Sequence, residues 1–421
     1  SLCVGPMEMK ETAMTSQRPW KDSRIVLGVT GSIAAYKSIQ VARDLTQLGA
    51  KVDVVLTESA QYFAPPLSFE GVTGRPALTD LFSAEGAALH VRLGQETDAL
   101  CVAPATADFL SRAAQGRADD LICTTLLATQ APVVICPAMN SQMFAHAQVQ
   151  ANLDHLKSKL GYMIAGPTEG ALAAGEADGP GRMIEPWQVV EHLGKALAGT
   201  SPLTGKQVLV TAGPTREPVD PVRYIGNRSS GRMGYAIAQA AWRRGAEVYL
   251  VSGPSWMEPP VGVHLISVET ALEMYDAVNH ALPEMDVSVF AAAVADFRPD
   301  NPDDEKLKRA DTEGGFAVSF TGNPDVAGDT VSRRKPGSVA VGFALETSDL
   351  IKNAEQKLIA KSFDLLVAND ATDEESGFDV PTNRVTILSP ERDPEELPLM
   401  LKPSVAEVII DRICDRLADD L

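Results

Sequence analysis

The chain has 421 residues, of which 45% are hydrophobic and 22% are charged, and its formal net charge at pH 7 is −19. This length and composition predict two or more ordinary globular domains, and the negative charge argues against nucleic acid or an anionic membrane as the main partner. No apolar run approaches the roughly 20 residues that a membrane-spanning helix needs.

The cysteines and the first residues indicate where the protein works. Cys101 and Cys136 lie in apolar runs, which predicts buried free thiols and favours a reducing cytoplasm. The five cysteines show no spacing typical of a metal site. Residues 1–23 lack the apolar core of a signal peptide, so we predict a disordered leader or a remnant of cloning.

Two segments repeat one order of predicted elements. Residues 24–56 contain strand RIVLGVT, a GS turn, helix IAAYKSIQVARDLTQLG and a second strand. Residues 207–252 contain strand QVLVTAG, a long polar loop, helix MGYAIAQAAWRRG and strand AEVYLVS. Short β-branched runs joined by amphipathic helices are typical of βαβ units, which wind right-handed into parallel sheets.

Further strands follow in both halves of the chain. They are DALCVAP, PVVICP and YMIAGP in the first half, and VHLISV, VSVFAAA, VAVGFA, DLLVAND and RVTILS in the second. A predicted helix, PWQVVEHLGKALAG, and the linker TSPLTGK separate them, which places the boundary near Leu203. We therefore predict an α/β protein with two doubly wound Rossmann-like domains, residues 24–202 and 203–421, each with a ligand crevice at the carboxyl ends of its strands.

Polar turns follow four strands of the first half. They are GSIAAYK (31–37), TESA (57–60), PATADF (104–109) and PAMNSQM (137–143). A strand followed by a turn and a helix N-terminus suits a phosphate, although GSIAAYK alone fits an ordinary tight turn equally well. Four such turns at one sheet edge predict a mononucleotide site.

These turns, with GRADDL and GEADGPGRM, resemble the flavin-dependent cysteine decarboxylases, for which PAMNSQM is the most specific motif. The resemblance implies that FMN binds between subunits of a trimer. The positions that match the family's FMN site are Gly31, Ser32, Ile33, Thr57, Ser59, Phe63, Pro104, Ala105, Thr106 and Met139.

Two catalytic positions follow from the same resemblance. His90 in HVRL matches the family's catalytic histidine, and Asn140 matches the asparagine that holds the substrate carboxylate. In that chemistry flavin oxidises a cysteine thiolate to a thioaldehyde, which accepts the electrons released as CO2 leaves. An imidazole with a pKa of about 6.5 suits the proton transfer. The alternative for His90 is a surface histidine at the start of a strand or turn.

The segment LAAGEADGPGRM departs from the family in one residue. Ala174 stands where the family has a cysteine that protonates the ene-thiol intermediate. Alanine donates no proton, so we expect the acid to be Glu169, Glu176, Asp178 or an ordered water. The alternative is a thiol decarboxylase that stops at the ene-thiol.

The long loop of the second half, TAGPTREPVDPVRYIGNRSSGRMG, resembles the nucleotide-activated phosphopantothenate–cysteine ligases. The resemblance implies that Asn227 lies at the acyl-phosphate junction and that Lys306 is the catalytic lysine. A long surface loop is the alternative. The positions that match the family's nucleotide and substrate sites are Gly213, Arg223, Ser229, Ser230, Gly231, Ala291, Ala292, Ala293, Asp296, Lys308, Asn323, Pro324, Asp325, Val326, Phe343, Lys357 and Lys361.

The two halves in this order resemble the bacterial bifunctional phosphopantothenoylcysteine decarboxylase/phosphopantothenate–cysteine ligases of coenzyme A biosynthesis. The resemblance implies that CTP and Mg²⁺ convert 4′-phosphopantothenate to an acyl-cytidylate, that cysteine displaces CMP, and that the FMN domain decarboxylates the product to 4′-phosphopantetheine. It also implies a cytoplasmic homo-oligomer, a dodecamer in which ligase dimers join decarboxylase trimers. The sequence identifies no ligands for the metal ion. A non-catalytic flavin-binding regulator is a further alternative.

Overall fold

A computed structural model describes residues 19–82, 88–170, 179–307, 317–346, 349–370, 372–373, 375–377, 380–390 and 392–419. The chain divides into two units, Ser1–Gly199 and Thr200–Leu421. The predictions for residues 1–18, Ala174, Glu176, Asp178 and Lys308 fall outside the described residues. Within the described part, no helix combines the length and apolar character needed to cross a membrane.

A parallel five-stranded sheet forms the centre of the first unit, in the order β2-β1-β3-β4-β5. Its strands are β1 (Arg24–Val29), β2 (Lys51–Leu56), β3 (Ala99–Ala105), β4 (Val133–Pro137) and β5 (Met163–Ile164). In this doubly wound order the chain reverses direction across the sheet between β1 and β3, and a ligand crevice is expected outside the carboxyl ends of those strands.

Helices cover both faces of this sheet. They are α1 (Ala35–Gln47), α2 (Pro66–Thr73), α3 (Leu89–Glu96), α4 (Ala107–Ala114), α5 (Leu121–Ala128), α6 (Ser141–Ala145), α7 (Ala147–Ser158) and α8 (Pro186–Ala198). Neighbouring residues of a strand point to opposite faces, so Leu27 packs in the core cluster under α1 and α8, whereas Val26 packs with α4, α5 and α7. A short antiparallel pair, β6 (Thr168–Gly170) and β7 (Gly179–Arg182), completes the unit.

The second unit contains an eight-stranded sheet in the order β12-β11-β8-β13-β16-β17-β19-β20. Its strands are β8 (Gln207–Ala212), β11 (Glu247–Ser252), β12 (His264–Ser267), β13 (Val287–Phe290), β16 (Val339–Glu346), β17 (Leu365–Asp370), β19 (Thr386–Ser389) and β20 (Arg392–Glu396). The first six strands are parallel, β19 pairs antiparallel with β17, and β20 pairs antiparallel with β19. Counted along the chain, the parallel strands have the order 3-2-1-4-5-6, which places the crevice between β8 and β13.

The remaining elements of the second unit are four helices and three small antiparallel pairs. The helices are α9 (Arg232–Arg243), α10 (Ala271–Ala281), α11 (Leu350–Ala360) and α12 (Lys402–Asp419). The pairs are β9 (Arg216–Pro218) with β10 (Tyr224–Gly226), β14 (Phe297–Pro299) with β15 (Phe320–Gly322), and β18 (Thr382–Asn383) with β21 (Met400–Leu401). Three 3-10 turns, Ser59–Tyr62, Leu282–Glu284 and Val331–Arg333, also lie among the described residues.

The prediction of an α/β protein with two doubly wound sheets is confirmed, and each predicted strand is present. All of them lie in the parallel order that βαβ units produce except RVTILS, which forms β19 and pairs antiparallel with β17. Cys101 and Cys136 are fully buried free thiols, as predicted. A hydrogen bond between the two thiols, together with burial, raises the pKa of Cys101 well above its usual value. The long loop after β8 contains a hairpin, β9–β10, that the sequence pattern did not indicate.

Candidate active sites

The turns after β1 and β3 meet at the crevice of the first sheet. The Thr30 hydroxyl donates to the Pro104 carbonyl at 2.8 Å, and the Thr106 N–H donates to the Thr30 hydroxyl at 3.1 Å. Thr106 also caps α4, where its hydroxyl accepts from the Phe109 N–H at 3.4 Å. These bonds fix two of the four predicted turns against each other.

The turns after β1 and β2 approach even more closely. A Cβ atom added to Gly31 would lie 2.5 Å from the Ser59 Cβ, so this contact requires glycine. The Ser59 hydroxyl lies 3.4 Å from that of Thr57, and the Ser32 hydroxyl accepts from the Ala34 N–H at 3.3 Å. Three predicted hydroxyls therefore stand at one sheet edge, beside a turn that leads into α1.

Apolar side chains border these hydroxyls. Ile33 is 62% exposed and Phe63 is 50% exposed, whereas Ala105 is fully buried behind them. Exposed apolar groups beside hydroxyl donors suit a ligand that combines a flat ring system with a phosphate. The residues present thus fit a flavin mononucleotide.

The turn after β4 carries Asn140 and Met139. The Asn140 Oδ1 accepts from the Gln142 N–H at 2.8 Å as the cap of α6, and its amide nitrogen has no hydrogen-bond partner among the described residues. The Met139 N–H donates to the Gly181 carbonyl at 3.0 Å. Strand β7 therefore packs on the turn that presents Asn140.

His90 lies in the first turn of α3. It is half-buried, and its buried Nδ1 has no hydrogen-bond partner within the described residues. A buried polar atom without a partner calls for an explanation, and a ligand is one. No hydrogen bond joins His90 to Asn140 or to the strand-end hydroxyls in the described part of the chain.

Two adjoining cavities occupy the crevice of the second sheet, and they share Ala292, Val294, Asp296 and Phe343. The first measures about 260 Å³. The predicted residues that line it are Ala292, Asp296, Asn323, Pro324, Asp325, Val326, Phe343, Lys357 and Lys361. The second measures about 370 Å³. The predicted residues that line it are Asn227, Ser229, Ser230, Gly231, Ala291, Ala292, Ala293, Asp296 and Phe343.

The first cavity combines an apolar wall with two lysines. Phe290 and Phe363 line it, with ring centroids 5.9 Å apart. Lys361 pairs with Asp325 at 2.6 Å, and although burial opposes the change, this bond lowers the pKa of the Asp325 carboxyl. Lys357 pairs with Glu346 at 2.6 Å. Because both lysines are partly exposed, exchanging these acids for a phosphate costs little.

The second cavity begins at the N-terminus of α9. Gly231 precedes the helix with a φ of 78°, and an added Cβ would lie 3.2 Å from the Gly213 nitrogen. The Asn227 amide donates to the Ala293 and Val294 carbonyls at 3.3 and 2.8 Å. Free N–H groups and the helix dipole make this end of the cavity suitable for an anion.

Arg223 and Lys306 line neither cavity. The Arg223 guanidinium pairs with Asp220 at 2.8 Å and donates to the Leu307 carbonyl. Lys306 is exposed and lies two residues before the segment 308–316, which is outside the described residues.

Sequence reasoning missed three polar residues that line the second cavity, Asn369, Asn383 and Lys402, which are 9%, 4% and 5% exposed. Asn369 is the last residue but one of β17, in the motif ANDAT, which resembles the ligases but suggested no role for this residue. Asn383 and Lys402 reach the cavity through the pair β18–β21, which no periodicity indicated. The Lys402 ammonium donates to the Gly377 carbonyl at 2.7 Å.

Comparisons with known proteins give matches for both halves of the chain. Residues 13–197 match the family model "Flavoprotein", and residues 203–417 match "DNA/pantothenate metabolism flavoprotein C-terminal domain". The coenzyme A biosynthesis bifunctional protein CoaBC of Vibrio vulnificus (strain YJ016) is 43% identical over 392 residues, which cover 93% of this chain and 97% of that protein. The Escherichia coli (strain K12) protein of that name is 42% identical over 396 residues, with coverages of 93% and 97%. A crystal structure of a CoaBC C-terminal domain is 38% identical and covers 52% of this chain and 100% of that chain, with a TM-score of 0.44.

Proposed function

The chain belongs to the bifunctional CoaBC family of coenzyme A biosynthesis, and we propose how its two reactions are assigned to the residues described above. It is an enzyme that combines a phosphopantothenoylcysteine decarboxylase with a phosphopantothenate–cysteine ligase. This family match favours the complete reaction over an enzyme that stops at the ene-thiol and over a non-catalytic regulator.

The second unit binds CTP in the first cavity and 4′-phosphopantothenate in the second. The observation that carries this assignment is that the two cavities adjoin at Ala292 and Asp296, since two substrates that react with each other need neighbouring sites. The apolar wall takes the pyrimidine, and Lys357 and Lys361 reach the triphosphate. The N-terminus of α9 takes the phosphate of 4′-phosphopantothenate.

The ligation then has two steps. The carboxylate of 4′-phosphopantothenate attacks the α-phosphorus of CTP, and pyrophosphate leaves. The amine of cysteine next attacks the acyl-cytidylate, loses a proton, and displaces CMP to form the amide. Lys306 stabilises the negative charge that builds on the α-phosphate, and Asn227, anchored beside the cavity junction, orients the acyl group.

Mg²⁺ enters this unit with the triphosphate. No group of three or more His, Cys, Asp or Glu side chains among the described residues is placed to hold a metal ion. Magnesium prefers oxygen ligands and is commonly held by substrate phosphates with only one or two carboxylates. Phosphate oxygens are therefore its main ligands in this proposal.

The first unit binds FMN along the turns after β1 to β4. When bound, the flavin supplies the electron acceptor that thiol oxidation requires. Asn140 holds the substrate carboxylate through its free amide nitrogen, and His90 moves the thiol proton. Exposed apolar side chains at this edge support burial by another subunit, as in a trimer that ligase dimers join into a dodecamer. They are Ile33, Tyr36, Tyr62 and Phe63.

The test is mass spectrometry of the products from 4′-phosphopantothenate, cysteine and CTP with the purified flavin-loaded protein. We expect pyrophosphate, CMP, CO2 and 4′-phosphopantetheine. Lys306→Gln should slow pyrophosphate release roughly 10²–10³-fold, the usual loss when one preorganised stabilising group is removed. A normal rate in Lys306→Gln would contradict the role of this lysine.

A further inference from the structure

We propose that Asp220 is a positioning residue for the ligase reaction, because it holds the backbone of the segment that carries Lys306. The inference rests on the proposed role of Lys306 and adds a residue that no motif match had assigned to either site. It concerns the turn of the β9–β10 hairpin, residues 219–223, and the segment 303–307.

The Asp220 carboxylate is buried, with the residue 3% exposed. Its Oδ1 accepts from the backbone N–H groups of Val222 and Arg223, at 2.8 and 2.7 Å. These two bonds close the hairpin turn in the manner of an aspartate turn. They occupy one carboxylate oxygen and account for a purely local role.

The other carboxylate oxygen points at a distant part of the chain. Oδ2 accepts from the Leu307 N–H at 3.2 Å and from the Arg223 guanidinium at 2.8 Å. The same guanidinium donates twice to the Leu307 carbonyl, at 3.1 and 3.2 Å. Asp220 and Arg223 together therefore satisfy both backbone groups of the residue that directly follows Lys306.

A fourth contact holds the other end of the segment. The Asp303 N–H donates to the Val219 carbonyl at 2.9 Å. The hairpin turn thus binds the backbone on both sides of Lys306, whose own side chain is exposed and makes no hydrogen bond within the described residues. A fixed backbone with a free side chain is the arrangement that a lysine needs to reach the α-phosphate without first ordering its loop.

The sharpest test is Asp220→Asn, which preserves the shape of the side chain. Its Oδ1 can still accept from Val222 and Arg223, so the turn persists. The new NH₂ group would face the Leu307 N–H and the Arg223 guanidinium, which are donors, so both bonds to the lysine segment are lost. We expect the kcat of CTP-dependent pyrophosphate release to fall roughly ten- to hundredfold, as for a misplaced catalytic group, with the KM for CTP within about twofold because no residue that lines the CTP cavity is changed.

Limited trypsin digestion of the native protein gives a second readout. Cleavage of the Lys306–Leu307 bond should accelerate in Asp220→Asn, and in Arg223→Lys to a smaller extent, while the decarboxylase activity stays at its wild-type value. Asp304→Asn is the matched control, since it removes the same charge from an exposed side chain of the same segment. It should leave cleavage and kcat unchanged.

Three outcomes would overturn the proposal: a wild-type kcat in Asp220→Asn, unchanged cleavage at Lys306, or a parallel loss of both activities with a lower melting temperature. The third outcome would show that Asp220 stabilises the fold and does not position Lys306. If Lys306→Gln is slow and Asp220→Asn is not, the proposed role of Lys306 survives and this inference fails. A normal rate in Lys306→Gln would instead refute the proposed role of the lysine.

Discussion

At the scale of single residues, the proposed decarboxylation gives His90 and Asn140 two separate tasks. The amide nitrogen of Asn140 carries no charge and has no partner among the described residues, so it can bind a carboxylate without stabilising it so strongly that CO2 is retained. The buried Nδ1 of His90 has no partner there either. Two unsatisfied polar groups of these types suit a site that holds a carboxylate and moves a proton.

We expect His90→Asn and Asn140→Asp each to abolish CO2 release. The first removes the group that accepts the thiol proton, and the second places a negative charge against the substrate carboxylate. Flavin absorbance after purification and CTP-dependent ligation should both be retained, and release of ¹³CO2 from labelled phosphopantothenoylcysteine measures the loss. Ligation that declines in step with decarboxylation would point to misfolding and contradict these roles.

Ala174 leaves open which group protonates the ene-thiol, because the flavin-dependent cysteine decarboxylases that this segment resembles have a proton-donating cysteine at this position. The position lies outside the described residues, while Glu169, one of the alternative acids, is exposed on β6. A carboxyl group whose pKa is raised by desolvation in a closed site can act as the acid. We predict that the wild-type protein releases saturated 4′-phosphopantetheine and that Ala174→Cys releases the same product.

The check is product mass after anaerobic turnover of both proteins. The same mass from each would agree with the prediction, whatever the difference in rate. A wild-type product lighter by two hydrogens, and converted to the saturated form only by Ala174→Cys, would show that the decarboxylase stops at the ene-thiol.

At the scale of elements, strand β7 lies against the turn that presents Asn140. Gly181 has a φ of 137°, and an added Cβ would overlap the Met139 carbonyl oxygen. A side chain at this position must therefore push β7 away from the turn or move Asn140. Two elements that are distant in sequence thus share one backbone contact at the proposed decarboxylase site.

We predict that Gly181→Ala reduces CO2 release at least about tenfold, since small displacements of a catalytic group have large effects on rate. Gly161→Ala is the matched control, because Gly161 also has a positive φ, 72°, but an added Cβ meets no atom within 4 Å. Both substitutions carry the cost of a left-handed backbone, about 1–2 kcal/mol. Equal loss of CO2 release in the two variants would show that backbone strain, and not the contact with Met139, is responsible.

The elements also show what the sequence could predict. The parallel strands carry runs such as RIVLGV and QVLVTA, buried on both faces, which can be recognised without tertiary information. The pairs β9–β10, β14–β15 and β18–β21 have only two or three residues per strand, too few for a detectable period. Pro218 and Pro299 further obscure two of them.

The same difference between local patterns and tertiary contacts explains which site residues could be predicted from the sequence. Residues in the turns directly after predicted strands, such as Thr106 and Asn140, could be assigned because parallel strands end at a common edge. Asn383 and Lys402 could not, because their position in the second cavity depends on β18 pairing with β21. Asp220 could not either, since its proposed positioning role depends on a contact with Leu307, 87 residues away.

At the scale of the whole molecule, a net charge of −19 coexists with anionic substrates. In the second unit, positively charged or polarised groups that can attract an anion lie at the cavities: the N-terminus of α9 at one and two lysines at the other. Those lysines pair with Asp325 and Glu346, and in the proposed CTP complex a phosphate takes the place of these acids. Each unit has its own sheet and its own candidate site, so the two reactions use separate sets of residues.

This separation predicts that the two reactions complement each other in trans. Lys306→Gln should lack ligation but decarboxylate added phosphopantothenoylcysteine, whereas His90→Asn should ligate but release no CO2. Neither alone should convert 4′-phosphopantothenate to 4′-phosphopantetheine at more than about 1% of the wild-type rate, given the usual loss of 10²–10³-fold. An equimolar mixture should restore the product, because the released intermediate can diffuse from one protein to the other.

The measurement is ¹³CO2 release from carboxyl-labelled cysteine in the presence of CTP and 4′-phosphopantothenate. The double variant, at the same total concentration, is the control and should remain inactive. Dilution of the mixture should slow product formation more than dilution of the wild type, because diffusion of the intermediate then limits the rate. An inactive mixture in which each variant retains its own half of the chemistry would contradict the prediction and would mean that the intermediate passes between the sites without being released.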